Sequence, residues 1–180
     1  VIRTLTVIAL AMLWAGTSLG SVPESTARPG RLPTGIVPVH YDIHVEPDAV
    51  ALTTRGTVSI VVVVARASDT VVLNALELEI HRALADGDNP ATVHLDASAQ
   101  TATLKFAKSL AAGPHRLHLE YTGKIEQTAS GLFAVDYPAA GGERRMLTTQ
   151  FEVGDARRFA PMWDEPSAKA TFTLEVVIPA

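Results

Sequence analysis

Residues 39–47 read VHYDIHVEP, and their alternation decides the fold class. Val39, Tyr41, Ile43 and Val45 alternate with His40, Asp42, His44 and Glu46. Successive side chains of an extended chain point to opposite faces, so this pattern predicts a strand with one buried and one solvated face. The same period of two continues in TVVLNA (70–75), ELEIHRALA (77–85), ATVHLD (91–96), QTATLKFA (100–107) and HRLHLEYTG (115–123). It returns in GLFAVDYP (131–138), MLTTQFE (146–152) and ATFTLEVVIP (170–179), with the Gly-rich AAGGE between the first two. GTVSIVVVVA (56–65) starts as an alternation and ends as a continuous apolar run, which suits a strand buried on both faces. GDNP (87–90) and AAGP (111–114) supply turn residues. Short strands at spacings near ten residues predict an all-β fold, an antiparallel β-sandwich or a related saddle-shaped sheet. The only helical candidate is GDARRF (154–159), and it is short.

Composition narrows the function. The chain has 180 residues, 47% apolar and 19% charged, enough apolar material for a packed core. Its net charge is -4 and it has no long basic run, which argues against a nucleic-acid partner. Cysteine is absent, which removes disulfides, thiolate catalysis and Cys-ligated zinc without excluding an oxidising compartment.

The first 20 residues, VIRTLTVIALAMLWAGTSLG, carry one basic residue (Arg3), an apolar run from Leu5 to Gly16, and small residues at Ser18 and Gly20. That layout predicts a signal peptide cut after Gly20, and hence a secreted or periplasmic protein. An uncleaved membrane anchor and a buried core segment are the alternatives, although the run is shorter than the roughly 20 residues a span requires. Residues 21–31 (SVPESTARPGR) read as a flexible spacer before a β domain at 32–180. The leading Val fits either a fragment or an alternative start codon.

No hydrolytic centre is legible. His40 and His44 have the i, i+4 spacing of a helical zinc motif, but they lie in a strand pattern. At roughly 3.3 Å per residue they stand about 13 Å apart and cannot share one ion. His115 and His118, three apart in a strand, point to opposite faces. No G-x-S-x-G elbow is present, and Ser130 and Ser167 lie in loops without a matched His and acid.

The segment TTQFEVGDARRFAPMWDEPSAKATF (148–172) breaks the texture of the chain. Period two places Leu147, Thr149 and Phe151 on one face and Thr148, Gln150 and Glu152 on the other. Phe151 is therefore expected in the core, with Gln150 and Glu152 about 7 Å apart on the opposite face. A carboxylate beside an amide carbonyl suits a primary ammonium, which only donates; two ordinary exposed polar residues on an edge strand are the alternative. Arg157, Arg158, Asp164, Glu165 and Lys169 crowd around Pro161, Trp163 and Pro166, and this pattern reads as an ion-paired corner rather than as catalytic groups.

These motifs resemble, in order, the N-terminal domain of the zinc aminopeptidase family typified by aminopeptidase N. RLPTGIVPVHYDIHVEP is similar to its opening strand, and GTVSI with TVVLNALELEI to the next block. AAGPHRLHLEYTGKI and SGLFAVDY follow, and TQFEVGDARRFAPMWDEPSAKATFTLEVVIP is similar to its most specific block. The resemblance implies a saddle-shaped β domain packed on a separate catalytic domain of the same polypeptide that removes N-terminal residues from peptides with one zinc ion. It implies that Glu152 grips the substrate's free α-amine and that Gln150 lines the pocket for the first side chain. It implies structural support from Arg157, Asp164, Glu165 and Pro166. Ala160-Pro161-Met162 departs from the family's Phe-Pro-Cys. The G-A-M-E-N strand and H-E-x-x-H site are not among these 180 residues, so the chain is expected to be inactive alone, with neither a catalytic residue nor a metal ligand of its own. The rival expectation is a stand-alone secreted binding module on the same scaffold.

Overall fold

The computed structural model describes residues 31–178. The expected signal peptide, and all of the spacer except Arg31, lie outside the described residues. The described strands are β1 (Ile36–Asp48), β2 (Thr53–Val64), β3 (Ser68–Asn74), β4 (Leu78–Ala85), β5 (Asn89–Asp96), β6 (Thr101–Leu110), β7 (Gly113–Lys124), β8 (Gly131–Ala139), β9 (Gly142–Gln150) and β10 (Thr171–Val176). Eight of them form one sheet in the order β10-β1-β2-β7-β4-β5-β6-β3, and β8 and β9 form a separate hairpin. The all-β expectation holds: the sheet is curled and mostly antiparallel, wrapped on one continuous core.

Alternation produces that core. Val58, Ile60 and Val62 of β2 and Leu117 and Leu119 of β7 are wholly buried. Each contributes about 1.5–3 kcal/mol through its burial. The ladder pairs Ile60 with Leu117 and Val58 with Leu119, so the buried rows of the two strands face the same side.

Three details depart from the sequence reading. Val39 does not share the buried face of Tyr41, Ile43 and Val45 but is 45% exposed. A register shift between Pro38 and His40 places it in a β-bulge, where one extra residue reverses the parity. The apolar end of β2 is not buried on both faces: Val62 and Val64 point inward and Val63 is 41% exposed. Finally, β10 pairs with β1 in parallel, with His40 opposite Thr171 and His44 opposite Glu175. Parallel neighbours cannot be joined by a hairpin, and here residues 49–170 intervene between β1 and β10.

The outer face of the sheet is a polar ladder, and its histidines give the stability a pH dependence. His44 stands between Glu175 at 3.3 Å and Glu46 at 3.4 Å, and hydrogen bonds to both, Glu175 first, hold its pKa above the usual 6.5. His115 meets Asp86 at 2.6 Å and the Ala111 carbonyl at 2.9 Å, and is raised chiefly by Asp86. Burial pushes Asp86 upward, but the Arg116 N–H and His115 outweigh it and leave the carboxyl below 3.8. A raised histidine favours the folded chain fully below about pH 6.5, and this gain disappears as pH rises through the folded pKa. The melting temperature is therefore expected to fall between pH 6 and pH 8. In a His44→Gln/His115→Gln variant, calorimetry is expected to show a flatter profile over the same window.

Candidate functional site

The hairpin leads into the site. Its two-residue turn, Ala140-Gly141, sets a register in which Asp136 stands opposite Arg145 and Gly131 opposite Gln150. Arg145 grips Asp136 with two bonds of 2.7 Å and donates a third, also 2.7 Å, to the Ala49 carbonyl between β1 and β2. At the other end the hairpin is fixed by backbone bonds from Glu126 N–H to Leu132 and from Ala134 N–H to Glu126, both 2.8 Å. Leu132 and Ala134 add buried apolar contact there.

β9 ends at Gln150 because β8 begins at Gly131 and offers no residue opposite Phe151. This corrects two expectations. Phe151 does not enter the core: it is 36% exposed and lies tilted against Phe159, with ring centres 5.4 Å apart. Glu152 stands beyond the strand, so the 7 Å strand spacing does not describe its relation to Gln150. The chain instead turns, with the Phe151 carbonyl accepting from Gly154 at 3.2 Å and Asp155 at 3.0 Å. The Glu152 N–H donates to Gln150 Oε1 at 3.4 Å, so the amide is drawn back toward the same turn. Both side chains are exposed.

Behind this turn the charges are paired. Arg157 is nearly enclosed, with 16% of its side chain exposed, as is its partner Asp164. Its Nε donates to Asp164 Oδ2 at 2.9 Å, Nη1 to Gln100 Oε1 at 3.0 Å, and Nη2 to the Asp164 carbonyl at 3.2 Å. Arg158 donates to Asp155 at 3.0 Å and to Glu77 at 2.5 Å. Glu165 pairs with no cation among the described residues; it accepts the Leu32 N–H at 2.6 Å. Pro166 is exposed at the second position of a turn closed by the Ala168 N–H on the Glu165 carbonyl, where its fixed φ suits the geometry. Lys169 is exposed and forms no ion pair among the described residues.

Four residues gain roles that no local pattern in the sequence signals. Asn74 exchanges two backbone bonds with Met162, at 2.7 and 3.0 Å, and its side-chain oxygen accepts the Asp164 N–H at 3.0 Å. The Tyr41 hydroxyl accepts the Trp163 N–H at 3.0 Å. Met162, standing where a cysteine was expected, is buried and fills the core beside them. Gln100 lies in the turn after β5, and only the folded topology brings it to Arg157.

Of the four carboxylates in 148–172, Asp155, Asp164 and Glu165 have partners and Glu152 has none among the described residues. Among the described residues no three His, Cys, Asp or Glu side chains gather to hold a metal ion. His40 binds Thr171 and Asp42, and His44 binds Glu46 and Glu175, so the two do not converge. The residues present therefore do not fit a zinc ion. The exposed Glu152, unpaired among the described residues, with Gln150 beside it can accept hydrogen bonds from a cationic donor.

Residues 37–180 match the peptidase M1 N-terminal domain, and the chain belongs to that family. It is 44% identical over 151 residues to "Aminopeptidase N" of Acetobacter pasteurianus, covering 83% of this chain and 42% of that protein. It is 35% identical over 147 residues to "Aminopeptidase 2" of Candida albicans, covering 81% of this chain and 16% of that protein. "Aminopeptidase M1" of Arabidopsis thaliana is 34% identical over 157 residues, covering 83% of this chain and 18% of that protein. The chain thus spans less than half the length of each of these relatives.

Proposed function

We propose that this chain is the N-terminal domain of a secreted zinc aminopeptidase and contributes recognition of the substrate's free α-amine. Glu152 accepts from the ammonium, and the Gln150 amide borders the pocket for the first side chain. The observation that carries this reading is the isolation of Glu152. It is the exposed carboxylate left without a partner among the described residues, in a segment whose other carboxylates are committed. An ammonium has three donors and no acceptor, so a lone carboxylate beside an amide oxygen complements it.

The zinc and the general base belong, on this reading, to a catalytic domain of the same polypeptide, packed on the β domain at 32–180. Residues 1–20, with Arg3 and the apolar run from Leu5 to Gly16, serve as the export signal, or as an anchor if uncleaved.

Glu152→Ala in the natural protein carrying this domain is expected to remove a charged hydrogen bond, about 1.5–3 kcal/mol. Steady-state kinetics on an aminoacyl chromogenic amide then show KM raised by roughly 10–150-fold, at 1.4 kcal/mol per tenfold. Unchanged KM and kcat would rule out the amine contact.

A further inference from the structure

Arg158 ties the turn carrying Glu152 to the main sheet. Asp155 closes that turn, its N–H donating to the Phe151 carbonyl at 3.0 Å. Asp155 Oδ1 in turn accepts from Arg158 Nε at 3.0 Å. The same guanidinium donates from Nη1 to Glu77 Oε2 at 2.5 Å, and Glu77 immediately precedes β4 of the main sheet. Arg158 thus bridges the turn and the sheet, with 23% of its side chain exposed.

Its stem also sets the approach of the hairpin. Gly131, directly opposite Gln150, has φ +63, and a β-carbon there would stand 2.9 Å from Arg158 Cβ. Glycine is therefore required twice, by backbone conformation and by space, and the hairpin rests directly on the arginine. Glu126, whose backbone holds the hairpin base, lies beside Glu77, and burial together with that neighbour raises its pKa above 4.5. Glu77 and Asp155 thus share the Arg158 guanidinium, and Glu126 lies close by.

We propose that Arg158 is a positioning residue, which sets where Gln150 and Glu152 stand relative to the main sheet. It touches no substrate; it acts through the Asp155 turn on Glu152 and through Gly131 on Gln150. This inference rests on the amine-recognition reading above. It extends that reading by naming the strut that places the acceptors.

A kinetic double-mutant cycle in the natural protein, with an aminoacyl chromogenic amide as probe, tests it. Arg158→Ala is expected to raise KM roughly 3–10-fold with kcat little changed, the scale of a coupling between groups in one network. Arg158→Lys retains the charge but loses the fork, so it is expected to fall between wild type and alanine. In a Glu152→Ala background, Arg158→Ala is expected to raise KM by much less than in wild type, because only Gln150 is then left for it to position. An equal rise in both backgrounds marks a general structural defect and overturns the proposal. If Glu152→Ala raises KM and Arg158→Ala does not, the positioning role fails while amine recognition stands. If Glu152→Ala has no effect, the recognition reading itself fails. Asp155→Asn breaks the same bridge with a smaller change of volume, and it carries the comparison if Arg158→Ala does not fold.

Discussion

Arg157→Ala is expected to be the most damaging single substitution in the 148–172 segment, costing about 3–5 kcal/mol of stability. The guanidinium spends three donors on Asp164 Oδ2, the Asp164 carbonyl and Gln100 Oε1. Its backbone carbonyl accepts the Leu76 N–H at 3.0 Å, so the chain on either side is also committed. Truncation leaves Asp164 largely enclosed without its cation, and that uncompensated charge is the main cost. It also strands Gln100 and empties the volume over Gly154, where the guanidinium lies 3.2 Å from the position of a β-carbon. At about 2–4 °C per kcal/mol for a chain of this size, the midpoint is expected to drop by roughly 6–20 °C. Arg157→Lys is expected to recover little, since an ammonium cannot span three acceptors in the plane of a fork. Thermal denaturation followed by circular dichroism measures the difference. A drop under about 2 °C for Arg157→Ala would mean that the corner does not depend on this pair.

Gly56→Ala is expected to cost about 3 kcal/mol, at the upper end of overpacking. Gly56 lies on the inner face of β2, opposite Tyr121 on β7. A β-carbon at Gly56 would fall on the Cζ and hydroxyl end of the Tyr121 ring. The ring cannot swing aside cheaply, because Tyr121 is 2% exposed and packed on all sides. One methyl group thus forces either the ring off its rotamer or the β2–β7 ladder apart. Shortening the obstacle should reverse the effect: in a Tyr121→Leu background, Gly56→Ala is expected to cost much less than in wild type. Urea unfolding of the four variants gives the coupling energy. Additive costs would show that the clash is not the cause.

The residues that were legible in the sequence are those whose environment is set by their own strand. Tyr41, Ile43 and Val45 announce their face by alternation, and all three are buried. The ten strand segments follow from the same local rule. What the sequence could not disclose depends on partners far along the chain. The parallel seat of β10 on β1 is fixed by where the chain re-enters after the corner, and no period encodes that choice. The bulge at Val39 is set by a one-residue mismatch with β2, visible only once the two strands are paired. Val63 looks like core by composition and faces solvent by parity, so alternation was the better guide there.

The candidate site divides the same way. The concentration of charge and proline in 148–172 reads as an ion-paired corner; Arg157 and Arg158 pair with Asp164, Asp155 and Glu77, while Glu165 and Lys169 form no ion pair among the described residues. Phe151 was misplaced because the end of β9 is decided by β8, whose first residue is Gly131. A count from the Ala140-Gly141 turn would have found both that end and the Asp136–Arg145 pair, since opposite residues in a hairpin follow from the turn position. Gln100 and Asn74 carried no such signal. Their roles exist only because β3 and the turn after β5 lie beside the corner.

A crystal structure of the natural protein bound to an amino-acid amide tests the contact between Glu152 and a substrate amine. The amine nitrogen is expected within about 2.7–3.2 Å of a Glu152 carboxylate oxygen, with the Gln150 amide beside it. A bound amine that is held by other groups, with the Glu152 carboxylate turned into solvent, would contradict it.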